Sequence, residues 1–275
     1  MTRLYHEIIK DIPLSLQELD KNLQLSTDHC LLSLSAHSIS KPFKDIASEI
    51  KNYTAAVVPI SSGAGVIPGF AEAVSAVLKH LGLNAYITRQ PDVGGFGEAL
   101  SGGADIVLAA DDKQFLSINL NNRKVTDNAW ATALGFAHAL AVVAEKNHRT
   151  IAGQKVLVLG LGPVGCYAVL ELIKLGFKVT VYDTDAVKLE AFVASCRNVQ
   201  KANDIRSAMQ EIRYVFDATP AAEIVNETMI GPSTVISCPG VPHGLTKGAL
   251  SQIGSRLIHD NLPLGVATMV LQSIF

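Results

Sequence analysis

The sequence has few cysteines, little net charge and no long uninterrupted apolar run. Its four cysteines are scattered, with no CxxC pair and no Cys/His pair at metal-binding spacing, so neither a disulfide framework nor a metal site is predicted. A net charge of −2 without a Lys/Arg cluster argues against a nucleic-acid partner. The longest apolar run, 133–144, is interrupted by His138 and is too short to cross a bilayer. We therefore expect a soluble, cytoplasmic protein without a membrane partner.

Length and composition predict a compact globular protein of two domains, and the alternation of strand and helix patterns predicts an α/β fold. With 275 residues, 48% of them hydrophobic and 17% charged, the chain can bury two substantial cores. Residues 1–52 are predicted to be helical, and Ser15 and Glu18 match a capping box at the start of the second helix. The first domain is predicted to span 1–148: the helical part, an α/β part over 53–127 and a linking helix over 128–148. The second is predicted to span 149–275, with a last helix over 262–275 that returns to brace the first domain.

The second domain opens with the pattern of a dinucleotide-binding unit. A buried strand is predicted over 155–159, a glycine-rich turn leads directly into an amphipathic helix, and the next strand ends at Asp183. Gly160 permits the turn, Gly162 lets the backbone approach a pyrophosphate, and Gly165 allows close helix packing. No Arg follows Asp183, so NAD is favoured over NADP. The predicted cofactor-binding residues in this Rossmann domain, a doubly wound parallel sheet, are Gly160, Gly162, Pro163, Val164, Gly165 and Asp183.

Two later strands of the same domain end in loops that we expect beside the nicotinamide half of the cofactor. The strand predicted over 214–218 is followed by Thr219 and Pro220, and that over 234–238 by Pro239 and Gly240. These four residues are predicted to hold the ribose and the carboxamide. His243, in the second loop, could be an acid/base or a residue of the rim, and the sequence leaves both open.

The α/β part of the first domain is predicted to form a small parallel sheet with polar strand ends. Strands over 55–60, 84–88 and 104–110 alternate with helices, and a hairpin over 115–125 follows. The strand ends carry Ser61 and Ser62, then Asp92, then Asp111 and Asp112. Such ends meet at one edge, where three carboxylates would attract a cation such as a protonated amine. Alternatively, these carboxylates cap the segments that follow them. With NAD, this layout indicates a hydride-transfer enzyme acting on a small amine or amino acid; a homodimer is left open.

Beyond these patterns, the chain carries six short motifs: PISSGAG from Pro59, PDV from Pro91, ADD from Ala110, the run Gly160–Gly165, ATP from Ala218 and PGVP from Pro239. In these motifs the chain resembles the dehydrogenases that complete pyrrolysine biosynthesis. The resemblance runs from about residue 55 to the end. It implies an NAD-dependent amine dehydrogenase that oxidises the ornithine side-chain amine of L-lysine-Nε-3-methyl-D-ornithine to an imine. Loss of ammonia and ring closure then give pyrrolysine. It also implies that Asp111 grips a substrate ammonium as the catalytic residue and that Ser61 and Ser62 bind the substrate. Asp92 is predicted to bind the substrate from its place among the strand ends.

Two alternatives stay open at this point. One is another two-domain NAD-dependent amino-acid dehydrogenase, resembling dipicolinate synthase or shikimate dehydrogenase. The Lys-Asp pair expected of shikimate dehydrogenase is missing, because no Lys stands at a strand end of the first domain. The other is a non-catalytic NAD-binding sensor, which would bind NAD but turn over no amine.

Overall fold

The computed structural model describes residues 4–148 and 150–275, which form two compact units. The first unit comprises the chain up to Gln24, His29–Gly135 and Asn261–Phe275. The second comprises Leu25–Asp28 and Phe136–Asp260. This division assigns the C-terminal segment to the first unit and falls inside the linking helix, whereas the sequence-based boundary follows that helix.

The first unit begins with four helices in the region predicted to be helical, of which residues 1–3 lie outside the described residues. They are α1 (His6–Ile9), α2 (Ile12–Thr27), α3 (Leu31–Ser38) and α4 (Phe43–Glu49). The predicted capping box is wrong: α2 begins at Ile12, and the Ser15 hydroxyl donates to the Ile12 carbonyl oxygen inside the helix. The Asp20 carboxylate ties these helices to their neighbours. It accepts the Leu31 amide at the start of α3 and lies 2.7 Å from Nε2 of His80.

A five-stranded sheet follows, with the predicted βαβαβ order and hairpin. Its strands are β1 (Thr54–Val58), β2 (Asn84–Ile87), β3 (Ile106–Ala110), β4 (Phe115–Asn119) and β5 (Val125–Asp127), and its helices are α5 (Phe70–His80) and α6 (Asp92–Ser101). The order is β2-β1-β3-β4-β5, with the first three strands parallel and the hairpin strands antiparallel. The small buried residues Ala56, Ala99 and Val107 bring α6 close to the sheet. Because β1, β2 and β3 are parallel, their carboxyl ends lie at the same edge of the sheet.

The second unit is a doubly wound parallel sheet, which confirms the predicted Rossmann domain. The helices are α7 (Asn128–His148, shared with the first unit), α8 (Pro163–Lys174), α9 (Ala186–Ser195), α10 (Ile205–Glu211) and α11 (Lys247–Ile253). The strands are β6 (Lys155–Leu159), β7 (Lys178–Tyr182), β8 (Val199–Lys201), β9 (Tyr214–Asp217), β10 (Val235–Cys238) and β11 (Leu257–His259). The strand order β11-β10-β9-β6-β7-β8 reverses between β6 and β9, and dinucleotides bind at such a reversal.

The C-terminal helix α12 (Pro263–Ile274) is buried along nearly its whole length within the first unit. It packs against α3, α5, β4 and β5. The Ser273 hydroxyl lies 2.9 Å from that of Ser117, and its carbonyl oxygen accepts from the Asn119 side chain. This burial explains why α12 is so apolar. Among the described residues, no helix is both long and apolar enough to cross a membrane.

Candidate active site: a dinucleotide cradle and an acidic strand edge

The glycine-rich turn after β6 has the geometry of a dinucleotide cradle. Gly160 has a φ of +84°, a left-handed conformation that glycine adopts at little cost. Gly162 precedes α8, and Pro163 is the first residue of that helix. A Cβ atom on Gly165 would overlap the carbonyl oxygen of Gly160, so only glycine lets α8 start so close to the turn. The backbone amides at the start of α8 are thus available to an anion.

Asp183, directly after β7, is held beside this turn by several hydrogen bonds. The Leu161 amide donates to Oδ2 over 2.7 Å and the Asp185 amide to Oδ1 over 2.9 Å. Burial raises the pKa of the Asp183 carboxyl, but the hydrogen bonds from Asp185 and Leu161, with Lys188, outweigh it and lower the pKa overall. The carboxylate is therefore ionised at neutral pH, so both of its oxygens can act as acceptors for ribose hydroxyls.

Lys188 is a residue that the sequence analysis missed. Its Nζ lies 3.3 Å from Oδ2 of Asp183, in the first turn of α9. The preference for NAD was predicted from the three residues immediately after Asp183, none of which is a cation. A lysine one helical turn further on would have been the signal. Here Asp183 neutralises it.

Replacing Asp183 with Ser should therefore change cofactor choice. We expect NAD affinity to fall about tenfold, since the ribose acceptor is lost, and NADP affinity to rise as Lys188 is released to meet the 2′-phosphate. Fluorescence titration with both cofactors measures the ratio. Asp185→Ser is the matched control, because Asp185 caps α9 through the Lys188 amide and Ser also caps helices. An unchanged NAD/NADP ratio in Asp183→Ser would contradict this reading.

The loops after β9 and β10 lie against each other and against the cradle. A Cβ on Gly160 would come within 3.1 Å of the Ala218 carbonyl oxygen, and one on Gly240 would overlap the Thr219 carbonyl oxygen. The Gly240 amide donates to the Asp217 carbonyl oxygen over 3.2 Å. The ring of His243 packs edge-on against that of His259, with centroids 5.3 Å apart. Thr219, Pro220, Pro239 and Gly240 thus lie in the loops after β9 and β10, the strands on one side of the strand-order reversal.

In the first unit, Asp92 and Asp112 both hold the loop after β1. The Ser61 amide donates to Oδ1 of Asp92 over 2.8 Å, and the Ser61 hydroxyl donates to Oδ2. Hydrogen bonds from the Ser61 hydroxyl and amide lower the pKa of Asp92. The Ala64 amide donates to Oδ2 of Asp112 over 2.7 Å. Ser62 is exposed in the same loop. Three strand ends are thus linked through side chains.

Asp111 differs from Asp92, both of whose oxygens accept hydrogen bonds, because only one oxygen of Asp111 has a partner among the described residues. The amides of Lys113 and Gln114 both donate to Oδ1 over 2.7 Å, while Oδ2 accepts no hydrogen bond from the described residues. The hydrogen bonds from Gln114 and Lys113 lower the pKa of this exposed carboxyl. The structure thus contains the turn expected of a capping residue and also leaves an ionised oxygen open to a ligand.

Comparison with known proteins identifies the class of protein, first through the second unit and then through the fold. Residues 155–250 match the family described as the NAD binding domain of 6-phosphogluconate dehydrogenase. The fold is similar to shikimate dehydrogenase from Aquifex aeolicus, with a TM-score of 0.53 and 14% identity over 81% of this chain and 91% of that one. Quinate dehydrogenase from Corynebacterium glutamicum, solved with NAD, gives a TM-score of 0.51 at 13% identity over 80% and 92% of the two chains. With a cradle that fits a dinucleotide, the protein is an NAD-dependent dehydrogenase.

The first unit and the chain as a whole identify the family. Residues 8–126 match the family described as pyrrolysine biosynthesis protein PylD, N-terminal domain. Pyrrolysine synthase from Methanosarcina acetivorans is 34% identical over 216 residues, which are 78% of this chain and 80% of that protein. Its counterpart from Methanosarcina barkeri is 31% identical over 78% of each. The chain belongs to the pyrrolysine synthase family, as the resemblance in its motifs implies.

Proposed function

We propose that this protein oxidises the ornithine side-chain amine of L-lysine-Nε-3-methyl-D-ornithine and closes the pyrroline ring of pyrrolysine. Membership of the pyrrolysine synthase family supports this substrate, and the dinucleotide cradle supports the oxidation. The observation that carries the proposal is Asp111, an ionised carboxylate with one oxygen fixed by two amides and the other open. Such a group suits an amine substrate and disfavours an anionic one.

Asp111 acts by binding and orienting the amine. Its pKa is lowered, so it is a weak base but a good counter-ion for an ammonium group. The hydrogen bonds from Lys113 and Gln114 fix Oδ1 and thereby the direction of Oδ2. The Asp111 side chain therefore loses little conformational entropy when the substrate binds. Orientation of a reacting carbon relative to its acceptor can supply a large part of a rate enhancement. The proton that the ammonium must lose passes to water.

Ser61 and Ser62 line the substrate pocket in this proposal, and Asp92 supports them. Both oxygens of Asp92 accept hydrogen bonds from Ser61, so this carboxylate acts on the substrate mainly by fixing the serine loop. Asp112 fixes the same loop at Ala64. In this proposal Asp111, with one oxygen fixed and the other open, is the carboxylate that faces the substrate amine directly.

The proposed reaction steps need no reactant other than the substrate and NAD. When NAD is bound, it supplies the hydride acceptor for the carbon that bears the side-chain amine. The carbon that bears the deprotonated amine gives up a hydride, and the carbon and nitrogen then form an iminium group. The ornithine α-amine then attacks the iminium carbon, ammonia leaves, and the ring nitrogen keeps a C=N bond. The product is lighter than the substrate by one ammonia and two hydrogens.

Incubation of the purified protein with NAD and lysine-Nε-methylornithine tests this proposal. We expect one NADH and one ammonia for each product molecule, with the product mass given above. The substrate analogue that lacks the ornithine side-chain amine is the control and should give no NADH. NAD binding without turnover would contradict the proposal and favour a sensor. Turnover of other amino acids, but not of this substrate, would favour a different amino-acid dehydrogenase.

A further inference from the structure

Asp217, the last residue of β9, is an acidic side chain with no exposed surface. The sequence analysis placed it within a strand and gave it no role. Both of its oxygens are engaged. Oδ1 accepts the Thr219 amide over 3.1 Å and the Thr219 hydroxyl over 2.7 Å. Oδ2 accepts the Gly244 amide over 3.1 Å and lies 3.5 Å from the Cys238 thiol. The two oxygens thus serve two different loops.

This bridge joins the two loops predicted to hold the nicotinamide half of NAD. Thr219 belongs to the loop after β9, and Gly244 to the loop after β10. The loop packs tightly around this bridge, because a Cβ on Gly244 would lie 2.5 Å from Oδ2 of Asp217 and 2.8 Å from Ile224. The bridge has two arms, the hydrogen bonds from Thr219 to Oδ1 and the hydrogen bond from Gly244 to Oδ2. If either arm is lost, one loop can move relative to the other.

Keeping a carboxyl group in such a place is costly, which argues for a role beyond packing. Burial raises the pKa of Asp217, and the hydrogen bonds from Thr219, Cys238 and Gly244 oppose that rise. None of these groups is a cation, so the bridge is held by two backbone amides with a hydroxyl and a thiol. An apolar residue would fill the core without this desolvation. It would not connect the loops.

We propose that Asp217 is a positioning residue for the nicotinamide half of the cofactor, acting through the loops at Thr219 and Gly244. The adenosine half lies elsewhere, beside Asp183 and the cradle on the other side of the strand-order reversal. Asp217 therefore affects one half of NAD and not the other. The inference rests on the NAD site and is independent of which amine is oxidised.

Calorimetric titration of Asp217→Asn with NAD and with ADP-ribose separates the two halves. Asn has the same shape but only one acceptor oxygen, so it keeps one arm of the bridge and loses the other. We expect NAD affinity to fall about tenfold, a loss typical of one buried hydrogen bond, and ADP-ribose affinity to stay within about twofold. Asp204→Asn is the control. It makes the same chemical change at an exposed helix cap of this unit, and both affinities should be unchanged.

Gly244→Ala tests the same bridge from its other side and covers the case in which Asp217→Asn fails to fold. Its Cβ would push the loop away from Asp217, so it should show the same selective loss of NAD. Equal loss of NAD and ADP-ribose, or no loss of either, would overturn the proposal. Failure of both variants to fold would also overturn it, because Asp217 would then be needed for the fold alone. Both titrations omit the amine, so their outcome is separate from that of the proposed reaction.

Discussion

Replacing Asp111 with Asn is expected to lower kcat/KM for the amine about hundredfold while leaving NAD affinity unchanged. The variant keeps an oxygen where Oδ1 accepts the amides of Lys113 and Gln114, so the turn after β3 should survive. It replaces the open Oδ2 with an NH₂ group, which donates and therefore repels an ammonium group. Steady-state kinetics with the methylornithine substrate, alongside NAD titration, measures both quantities.

Asp105→Asn is the matched control for Asp111→Asn. Asp105 belongs to the same unit but precedes β3, at the opposite edge of the sheet, where it accepts the Thr54 amide. We expect full activity in this variant. Equal loss of amine turnover and NAD binding in Asp111→Asn would remove Asp111 from the substrate site. Undiminished turnover would do the same.

Gly165→Ala should have the largest effect on the cofactor, reducing NAD affinity by more than about a hundredfold. The added Cβ would overlap the Gly160 carbonyl oxygen, which is backbone and cannot swing aside as a side chain could. The start of α8 must then move away from the turn, and its amides no longer converge on a pyrophosphate. Titration with NAD, and with ADP-ribose, should show the loss for both ligands, because both contain the pyrophosphate.

Gly97→Ala is the matched control for this substitution. Gly97 lies within α6, and a Cβ there would have no atom within 4 Å. Alanine is the better helix former, so we expect the free energy of unfolding to rise by about 0.5–1 kcal/mol with unchanged NAD affinity. Wild-type NAD affinity in Gly165→Ala would show that the close approach of turn and helix is not needed.

The cofactor half of the fold was predictable because its signals are local. Gly160, Gly162 and Gly165 are close together in the chain. Backbone geometry requires glycine at 160 and 165, whereas the absence of a side chain at Gly162 leaves room for a pyrophosphate. The strand before them and Asp183 after the next strand supply the context that a glycine-rich turn alone lacks. The same holds for the hairpin at Asn121, whose signal also lies within one short stretch of the chain, 115–125.

The missed features depend on residues that are distant in sequence. The bridge at Asp217 needs the Gly244 amide, which lies in a different loop, and Asp112 meets Ala64 only because β1 and β3 are neighbours in the sheet. The capping box at Ser15 was wrong because α2 already begins at Ile12, so Ser15 lies inside the helix. One signal was available in the sequence. Asp217 is an acid at the end of an apolar strand, which is unusual and indicates a buried hydrogen-bonding partner.

The central claim is that hydride leaves the carbon bearing the ornithine side-chain amine. The most direct test uses substrate with both hydrogens of that carbon replaced by deuterium and mass spectrometry of both products. The account predicts one deuterium in the reduced cofactor and one on the imine carbon of the ring. Unlabelled NADH formed together with product, or a product that keeps both deuterium atoms, would contradict it, because the hydride would then come from another position.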